Sequence, residues 1–164
     1  MPLTVIGIDP GSQRTGWGIV KEQSCVLSLV ECGIIRPRAD ENVFSKRLAM
    51  IYQELATVLE HYRPQEAAIE EIFVAQNSKS ALKLGQARGV AVAACAAHDI
   101  PVLDYEPTLV KKTLVGTGRA EKEQVAFMVR TFLHLPEKTT WPLDTSDALG
   151  IAICHLSLRN SPLI

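Results

Sequence analysis

Residues 5–12, with the sequence VIGIDPGS, join an apolar run to a single carboxylate, Asp9, and then to a Pro-Gly turn. A buried strand that ends in this way brings its last side chain to the rim of a sheet. The same pattern recurs at residues 67–70, where the sequence AAIE ends in Glu70. If the two strands are parallel neighbours, both carboxylates emerge at the carboxyl ends of the strands, where open α/β sheets usually bind ligands.

Strand-like and helix-like patterns fill the rest of the chain. Apolar runs and alternations predict five strands, at residues 3–9, 15–20, 25–36, 67–72 and 100–103. Apolar spacings of three and four predict five helices, at residues 44–62 with Asn42 as N-cap, 78–97, 107–115, 121–133 and 142–158. Short turns make the first three strands an antiparallel meander, and helical crossovers make the last two parallel. The sequence therefore predicts a single α/β domain over residues 1–164, a mixed five-stranded sheet with helices on both faces.

Small side chains recur every fourth residue along the second predicted helix, at Ala81, Gly85, Gly89, Ala93 and Ala97. Each glycine inside a helix costs about 1 kcal/mol relative to alanine, so another element should approach this row closely. Close packing on the sheet is the simpler explanation, and a helix pair across a dimer interface is the alternative. Gly7 and Gly18, inside predicted strands, likewise indicate a close backbone approach or a bulge.

The composition is that of an ordinary soluble globular protein, with 164 residues, 47% hydrophobic and 21% charged residues, and a formal net charge of −1. No apolar run reaches the roughly 18 residues of a membrane span and the N-terminus lacks a signal-peptide pattern, so we expect a cytoplasmic protein. The cysteines form no C-x-x-C pair, which predicts reduced, buried thiols at Cys25, Cys32, Cys95 and Cys154. Four histidines near predicted helix ends are interpreted as structural or surface residues: His61, His98, His134 and His155.

Two further carboxylates, Asp144 and Asp147, lie three residues apart in the last predicted helix, so they share one helix face. Taken singly, these acids have simpler explanations, because Asp9 can be a turn residue and an acidic pair suits the start of a helix. Glu70 is harder to explain in this way, because a buried and unpaired carboxylate is costly.

Taken together, four carboxylates at the ends of core elements would repel one another and raise each other's pKa values. Divalent cations relieve such repulsion, and all-oxygen ligands suit Mg²⁺ or Mn²⁺. Two such ions roughly 4 Å apart can clamp the attacking and leaving oxygens of a phosphodiester. No nucleophilic serine or cysteine with a base partner is evident, so the pattern favours metal-dependent hydrolysis.

Basic residues flank this acidic centre. No acidic residue occurs between residues 74 and 98, and a group of cations occurs in and shortly after that stretch: Lys79, Lys83, Arg88, Lys111, Lys112, Arg119 and Lys122. Lysines placed like this can hold phosphates on either side of a metal centre, and a solvated helix face is the alternative explanation for any one of them. Phe73, three residues after Glu70, can stack on an unpaired base or cover the core.

Several motifs together resemble one known family. They are GIDPGS at residues 7–12 with TG at 15–16, IEEIF at 69–73, SALKLGQARG at 80–89, KKTLVG at 111–116, AEK at 120–122 and DTSDAL at 144–149. The motifs run in order from about residue 4 to residue 156, and they closely resemble the RuvC family of bacterial Holliday junction resolvases. Relatives often carry a basic tail after the last helix, whereas residues 160–164 contain no lysine or arginine, so the resemblance does not extend to a tail contact with DNA.

The resemblance implies an RNase H-like fold and a homodimer that nicks two symmetric strands of a four-way DNA junction. The expected products carry 5′-phosphate and 3′-hydroxyl ends, and the expected roles are recombination and DNA repair. The reaction that the resemblance implies depends on Mg²⁺, with two ions expected and Mn²⁺ as a substitute. The resemblance also implies a partnership with the RuvA–RuvB branch-migration complex.

Residue roles follow from motif position. The metal-binding catalytic residues that the resemblance implies are Asp9, Glu70, Asp144 and Asp147. The basic residues implied near the scissile phosphate are Lys111 and Lys122, and Phe73 is the implied junction-facing aromatic. Further DNA contacts are expected from Lys79, Lys83, Lys112 and Arg119.

Three other functions share part of this pattern. A related RNase H-like nuclease acting on RNA or single strands would use the same carboxylates. An actin-like or sugar-kinase phosphate loop also begins with Asp-x-Gly, but those folds need a second lobe for which 164 residues leave no room. A non-catalytic junction-binding module would not need all four acids.

Overall fold

The computed structural model describes residues 1–38, 42–72 and 78–159. Within these ranges the strands, numbered along the chain, are β1 (Leu3–Asp9), β2 (Thr15–Gln23), β3 (Val26–Ile35), β4 (Glu66–Glu70) and β5 (Val102–Tyr105). They form one sheet in the order β3-β2-β1-β4-β5. The pairs β1–β2 and β2–β3 are antiparallel, whereas β1–β4 and β4–β5 are parallel. The predicted mixed sheet, a meander extended by two parallel strands, is therefore confirmed.

The fifth strand begins and ends two residues later than predicted. Pro101 has no N–H group to donate to a ladder, although its carbonyl still accepts a hydrogen bond from the Ala67 N–H at 2.9 Å. Regular pairing therefore starts at Val102 and continues to Tyr105, which lies opposite Glu70 in the register. β4 correspondingly ends at Glu70, two residues earlier than predicted.

The described helices are α1 (Phe44–Tyr62), α2 (Ser78–Ala97), α3 (Pro107–Val115), α4 (Lys122–Phe132) and α5 (Leu143–Arg159). Val43, and not the predicted Asn42, occupies the N-cap position of α1, and its apolar side chain makes no capping hydrogen bond. Glu121 caps α4 and forms a reciprocal capping box with Gln124. In the part of the chain that the structure describes, no helix has the length and apolar composition needed to cross a membrane.

β1 lies at the centre of the sheet and is buried on both faces. Ile6 and Ile8 pack with α1 and α2, whereas Val5 packs with α3, α4 and α5. Because side chains alternate along a strand, Asp9 projects on the same face as Val5, toward α5. The same alternation in β4 turns Ala68 toward α5 and Ile69 away from it, so Glu70 also faces α5. The helices on both faces, predicted from the sequence, are confirmed.

Glycines allow α5 to lie directly on β1 and β2. A Cβ added at Gly7 would collide with the main-chain carbonyl of Ala148, and one at Gly16 would collide with the carbonyl of Asp144. A Cβ at Gly18 would come within 2.5 Å of the Leu149 side chain. The close approach predicted at Gly7 and Gly18 is therefore confirmed, and it brings the first turns of α5 to the carboxyl end of β1.

The row of small residues on α2 does not pack on the sheet. α2 instead buries Ala87, Ala91, Ala94 and Cys95. The opposite side of the helix is exposed at Gly85, Gly89, Ala93 and Ala97, and Ala81 is half-buried. Among the described residues, a Cβ added at Gly85 or Gly89 would meet nothing within 4 Å. Close packing on the sheet, the simpler of the two explanations, is therefore wrong for this row.

The four cysteines are free thiols, as predicted, but they are not all buried. Cys95 and Cys154 lie in the core, Cys32 is half-buried, and Cys25 is exposed. The prediction of burial is wrong for Cys25, because the residue lies in the tight turn between β2 and β3. Its φ of 63° and that of Ser24 at 53° are left-handed, as a two-residue hairpin turn requires.

Candidate active site

Three elements bring four acids to one edge of the sheet. Asp9 is the last residue of β1, Glu70 is the last residue of β4, and Asp144 and Asp147 lie in the first turns of α5. Carboxylate oxygens of the three aspartates lie within 4.8 Å of one another. Glu70 lies beside them and shares a side-chain hydrogen bond with Asp9. We call these four residues the carboxylate cluster, and the structure brings together the acids that the sequence singled out.

Burial and mutual repulsion disfavour full ionisation of this cluster. The pKa of Asp9 rises to about 8, mainly because the carboxyl is buried and further because Glu70, Asp147 and Asp144 are close. Burial is also the largest cause of the raised pKa values of Glu70 and Asp147. The hydrogen bond from Asp9 lowers the pKa of Glu70, because a protonated Asp9 donates to an ionised Glu70, but burial outweighs that effect. The cluster therefore lacks enough nearby positive charge to keep all four carboxyls ionised.

A divalent cation would supply the positive charge that the carboxylate cluster lacks. The cluster offers only carboxylate oxygens, which are the ligands that hard cations such as Mg²⁺ and Mn²⁺ prefer. Asp9, Asp144 and Asp147 have oxygens close enough to hold one metal ion in common. The arrangement can therefore serve as a divalent-metal site.

Both lysines expected near the scissile phosphate flank the carboxylate cluster. The Lys122 ammonium lies 3.4 Å from Asp147 Oδ2, and the charge of Asp147 is the largest cause of its raised pKa. Lys111 lines a cavity of about 30 Å³ together with Glu70 and Asp147. Its positive charge lowers the pKa of each of these two carboxyls, although burial outweighs that effect. The two lysines are thus well placed to interact with an anion bound at the cluster.

Arg14 is a cation at the site that the sequence analysis did not single out. It lies between β1 and β2, and its guanidinium is 3.5 Å from Asp144 Oδ2. Arg47 of α1 donates a hydrogen bond to the Ser12 carbonyl at 2.7 Å and so supports the same loop. In the sequence, the position of Arg14 five residues after Asp9 was the only indication of this contact. The fold is needed to show that the loop turns back toward α5.

The remaining predicted DNA contacts lie on the surrounding surface. Lys79 and Lys83 are exposed on α2, and the Lys83 ammonium lies 5.6 Å from the centre of the Phe44 ring at the start of α1. Lys112 is exposed on α3, and Arg119 is exposed between α3 and α4. Phe73 lies outside the described residues. The DNA-binding roles of these residues stay predictions.

Comparison with known proteins identifies the family to which this geometry belongs. The family model described as crossover junction endodeoxyribonuclease RuvC matches residues 5–155. The chain belongs to the RuvC family. Crossover junction endodeoxyribonuclease RuvC of Oleidesulfovibrio alaskensis is 60% identical over 157 residues, which cover 96% of this chain and 92% of that protein.

Solved RuvC structures share the fold. The Thermus thermophilus RuvC structure matches with a TM-score of 0.84 and 32% identity, covering 96% of this chain and 95% of that one. T. thermophilus RuvC in complex with Holliday junction substrate matches with a TM-score of 0.85 and 34% identity, covering 94% of this chain and 93% of that one. The RNase H-like fold and the family predicted from the motifs are therefore confirmed, and the actin-like alternative is wrong.

Proposed function

We propose that this RuvC-family chain is a crossover junction endodeoxyribonuclease that resolves four-way DNA junctions in recombination and repair. It hydrolyses one phosphodiester in each of two symmetric strands and leaves 5′-phosphate and 3′-hydroxyl ends. The observation that carries the proposal is the convergence of Asp9, Asp144 and Asp147 oxygens within 4.8 Å, in a chain that the RuvC family model matches over residues 5–155.

The carboxylate cluster is proposed to hold the catalytic metal. Asp9, Asp144 and Asp147 would be ligands, and Glu70 would join them from the position where it now shares a hydrogen bond with Asp9. We propose two Mg²⁺ ions, which Mn²⁺ can replace. Bound here, the ions would supply Lewis-acid stabilisation of charge that develops on the phosphate oxygens.

The flanking cations are proposed to handle the phosphates. A cluster of four carboxylates repels DNA, so cations must approach the backbone from both sides of it. Lys111 and Lys122 flank the cluster, and we propose that they hold oxygens of the scissile phosphate. Lys122 also orients Asp147 through their 3.4 Å contact. Lys79, Lys83, Lys112, Arg119 and Phe73 are proposed to contact the junction farther from the cut.

The active form is proposed to be a homodimer, because paired cuts on symmetric strands need two sites. The exposed row of small residues on α2 supports this arrangement, since a second helix can approach closely where Gly85 and Gly89 lack side chains. We further propose that residues 1–164 act as one nuclease domain, in the cytoplasm and together with the RuvA–RuvB complex.

The dimer can be tested by filling the row on α2. Gly89→Leu improves helix propensity, so a loss of association would not reflect a weaker helix. We expect sedimentation velocity at micromolar concentration to show a dimer for the parent chain and a monomer for this variant. Thr131→Leu, at an exposed position of α4, is the matched control. A monomeric parent chain would contradict the dimer.

The activity is tested with a set of matched nucleic acids. A synthetic four-way junction, the corresponding duplex, its single strand and an RNA–DNA hybrid are each incubated with the protein in Mg²⁺ and in EDTA. We expect paired symmetric nicks in the junction with Mg²⁺, and intact duplex. Preferred cutting of the hybrid or the single strand would instead favour a related RNase H-like nuclease of different substrate class.

A further inference from the structure

Arg88 of α2 reaches the sheet directly behind the carboxylate cluster. Its Nε donates a hydrogen bond to the main-chain carbonyl of Glu70 at 3.2 Å. Its Nη2 donates to Oδ1 of Asp104, in β5, and forms an ion pair with it. The Arg88 side chain is only 24% exposed, so it is held largely between the helix and the sheet edge.

The carbonyl that Arg88 holds lies where strand pairing ends. The register between β1 and β4 stops at the pair Ile8–Ile69, and the register between β4 and β5 stops at Glu70–Tyr105. Glu70 therefore has the sheet on one side only, while its side chain must stay beside Asp9. The N–H of the following peptide donates to the Tyr105 carbonyl at 2.9 Å, and Arg88 holds the carbonyl of the same peptide at 3.2 Å. With both of its polar groups held, this peptide cannot rotate freely, which fixes the direction from which the Glu70 carboxylate projects.

An arginine suits this task better than a lysine. The guanidinium is a planar fork with donors that point in several directions, so one side chain can hold a carbonyl and a carboxylate together. The carboxylate of Asp104 orients the guanidinium of Arg88, and the guanidinium in turn holds the main-chain carbonyl of Glu70. A lysine ammonium offers donors at a single atom and orients them less firmly.

We propose that Arg88 is a positioning residue for the metal site, which fixes Glu70 through its main-chain carbonyl while Asp104 orients the guanidinium. Arg88 acts through Glu70 and contacts neither the phosphate nor the metal. The inference rests on the proposed nuclease function, and it deepens it: α2 carries the proposed dimer surface, so Arg88 ties that helix to a catalytic carboxylate.

The test compares Arg88→Gln, Arg88→Lys and Asp104→Asn in the full chain. Calorimetric titration with Ca²⁺ in the absence of DNA reports metal binding, and single-turnover cleavage across a Mg²⁺ series reports activity. Mutation of a residue that positions a metal ligand usually lowers metal affinity by about 10- to 100-fold. We expect Arg88→Gln to weaken Ca²⁺ binding and raise the Mg²⁺ midpoint by about 10-fold, with smaller shifts for the other two. High Mg²⁺ should restore cleavage, and junction affinity in Ca²⁺ should not change.

Arg130→Gln, in the last turn of α4, is the charge-matched control and should leave all these values unchanged. If the Arg88 variants lower only the melting temperature and leave both metal titrations unchanged, the positioning role is wrong. If they weaken junction binding with an unchanged Mg²⁺ midpoint, Arg88 is a DNA contact and the inference is overturned. Should the parent chain cleave no junction, the nuclease proposal fails, yet the Ca²⁺ titration still decides the role of Arg88.

Discussion

Two polar clusters lie at opposite ends of β4 and α5, and they differ in how far neighbouring side chains balance their charge. At one end is the carboxylate cluster. At the other end an anchor cluster consists of Glu66, His155 and Arg159, together with Tyr105, whose backbone lies opposite Glu70 but whose hydroxyl reaches His155. The buried His155 ring is hydrogen-bonded to the Tyr105 hydroxyl at 2.7 Å and to Glu66 Oε2 at 2.6 Å. Arg159 lies 3.1 Å from the other oxygen of Glu66.

The anchor cluster is complete within the chain, and the carboxylate cluster is not. In the anchor cluster a single acid, Glu66, contacts a histidine and an arginine, and the histidine contacts a tyrosine. In the carboxylate cluster four acids face the more exposed cations Lys122 and Arg14, and the pKa of Asp9 rises to about 8. About 16 Å of helix separates Asp144 from His155, so α5 contributes residues to both clusters. A buried group of charges that the chain leaves unbalanced is one that a ligand must complete.

The largest expected effect comes from removing one charge of the carboxylate cluster. Asp9→Asn keeps the size of the side chain but removes one of the proposed metal ligands. We expect junction cleavage in Mg²⁺ to fall by at least about 10³-fold, while junction binding is preserved because repulsion of the phosphates decreases. Single-turnover cleavage and a gel-shift titration measure the two quantities. Glu71→Gln, at the exposed neighbour of Glu70, is the control; retained cleavage by the Asp9 variant would refute the metal-ligand role.

The anchor cluster should respond in stability and not in chemistry. His155→Ala leaves Glu66 and Tyr105 without their shared partner, which we expect to lower the free energy of unfolding by about 2–4 kcal/mol. Urea denaturation measures this loss. His61→Ala, at an exposed position in the last turn of α1, should cost less than about 1 kcal/mol. Cleavage per folded molecule should stay within about threefold of the parent chain, and a much larger loss would mean that the two clusters are coupled.

The contrast also shows which features can be read from sequence. Strand ends identified Asp9 and Glu70, and the helix spacing identified Asp144 and Asp147, because local periodicity alone determines those directions. Gly7 and Gly18 indicated a close approach, but the local sequence did not show that α5 is the element that approaches.

Contacts between distant segments had no such signal. His155 was interpreted only as a structural or surface residue, since its partner Glu66 is 89 positions away. Arg14 and Arg88 reach the site through a loop return and a helix crossing, neither of which leaves a periodic pattern. The row on α2 gave the correct spacing, but periodicity cannot say whether a face turns toward the sheet or toward solvent.

A smaller effect separates the clusters by pH in the absence of metal. The Asp9 carboxyl has an ordinary pKa of 3.8 and one of about 8 in the folded chain. Between these values the folded state binds the proton more tightly than the unfolded state, so folding stability decreases as pH rises from about 4 to about 8 and then levels off. Asp9→Asn removes this loss. Its advantage in stability over the parent chain should therefore increase with pH, reaching about 1–3 kcal/mol near pH 8.

Melting temperatures in EDTA, taken at intervals from pH 5 to pH 9, measure the difference between parent and variant. Glu71→Gln supplies the control, because its exposed side chain should give a curve parallel to that of the parent. Saturating Ca²⁺ should stabilise the parent but not Asp9→Asn, because the metal binds the ionised cluster and reverses the advantage of the variant. Parallel curves for Asp9→Asn and the parent in EDTA would show that the carboxylate cluster is as well balanced as the anchor cluster, and the argument from unbalanced charge to metal binding would then fail.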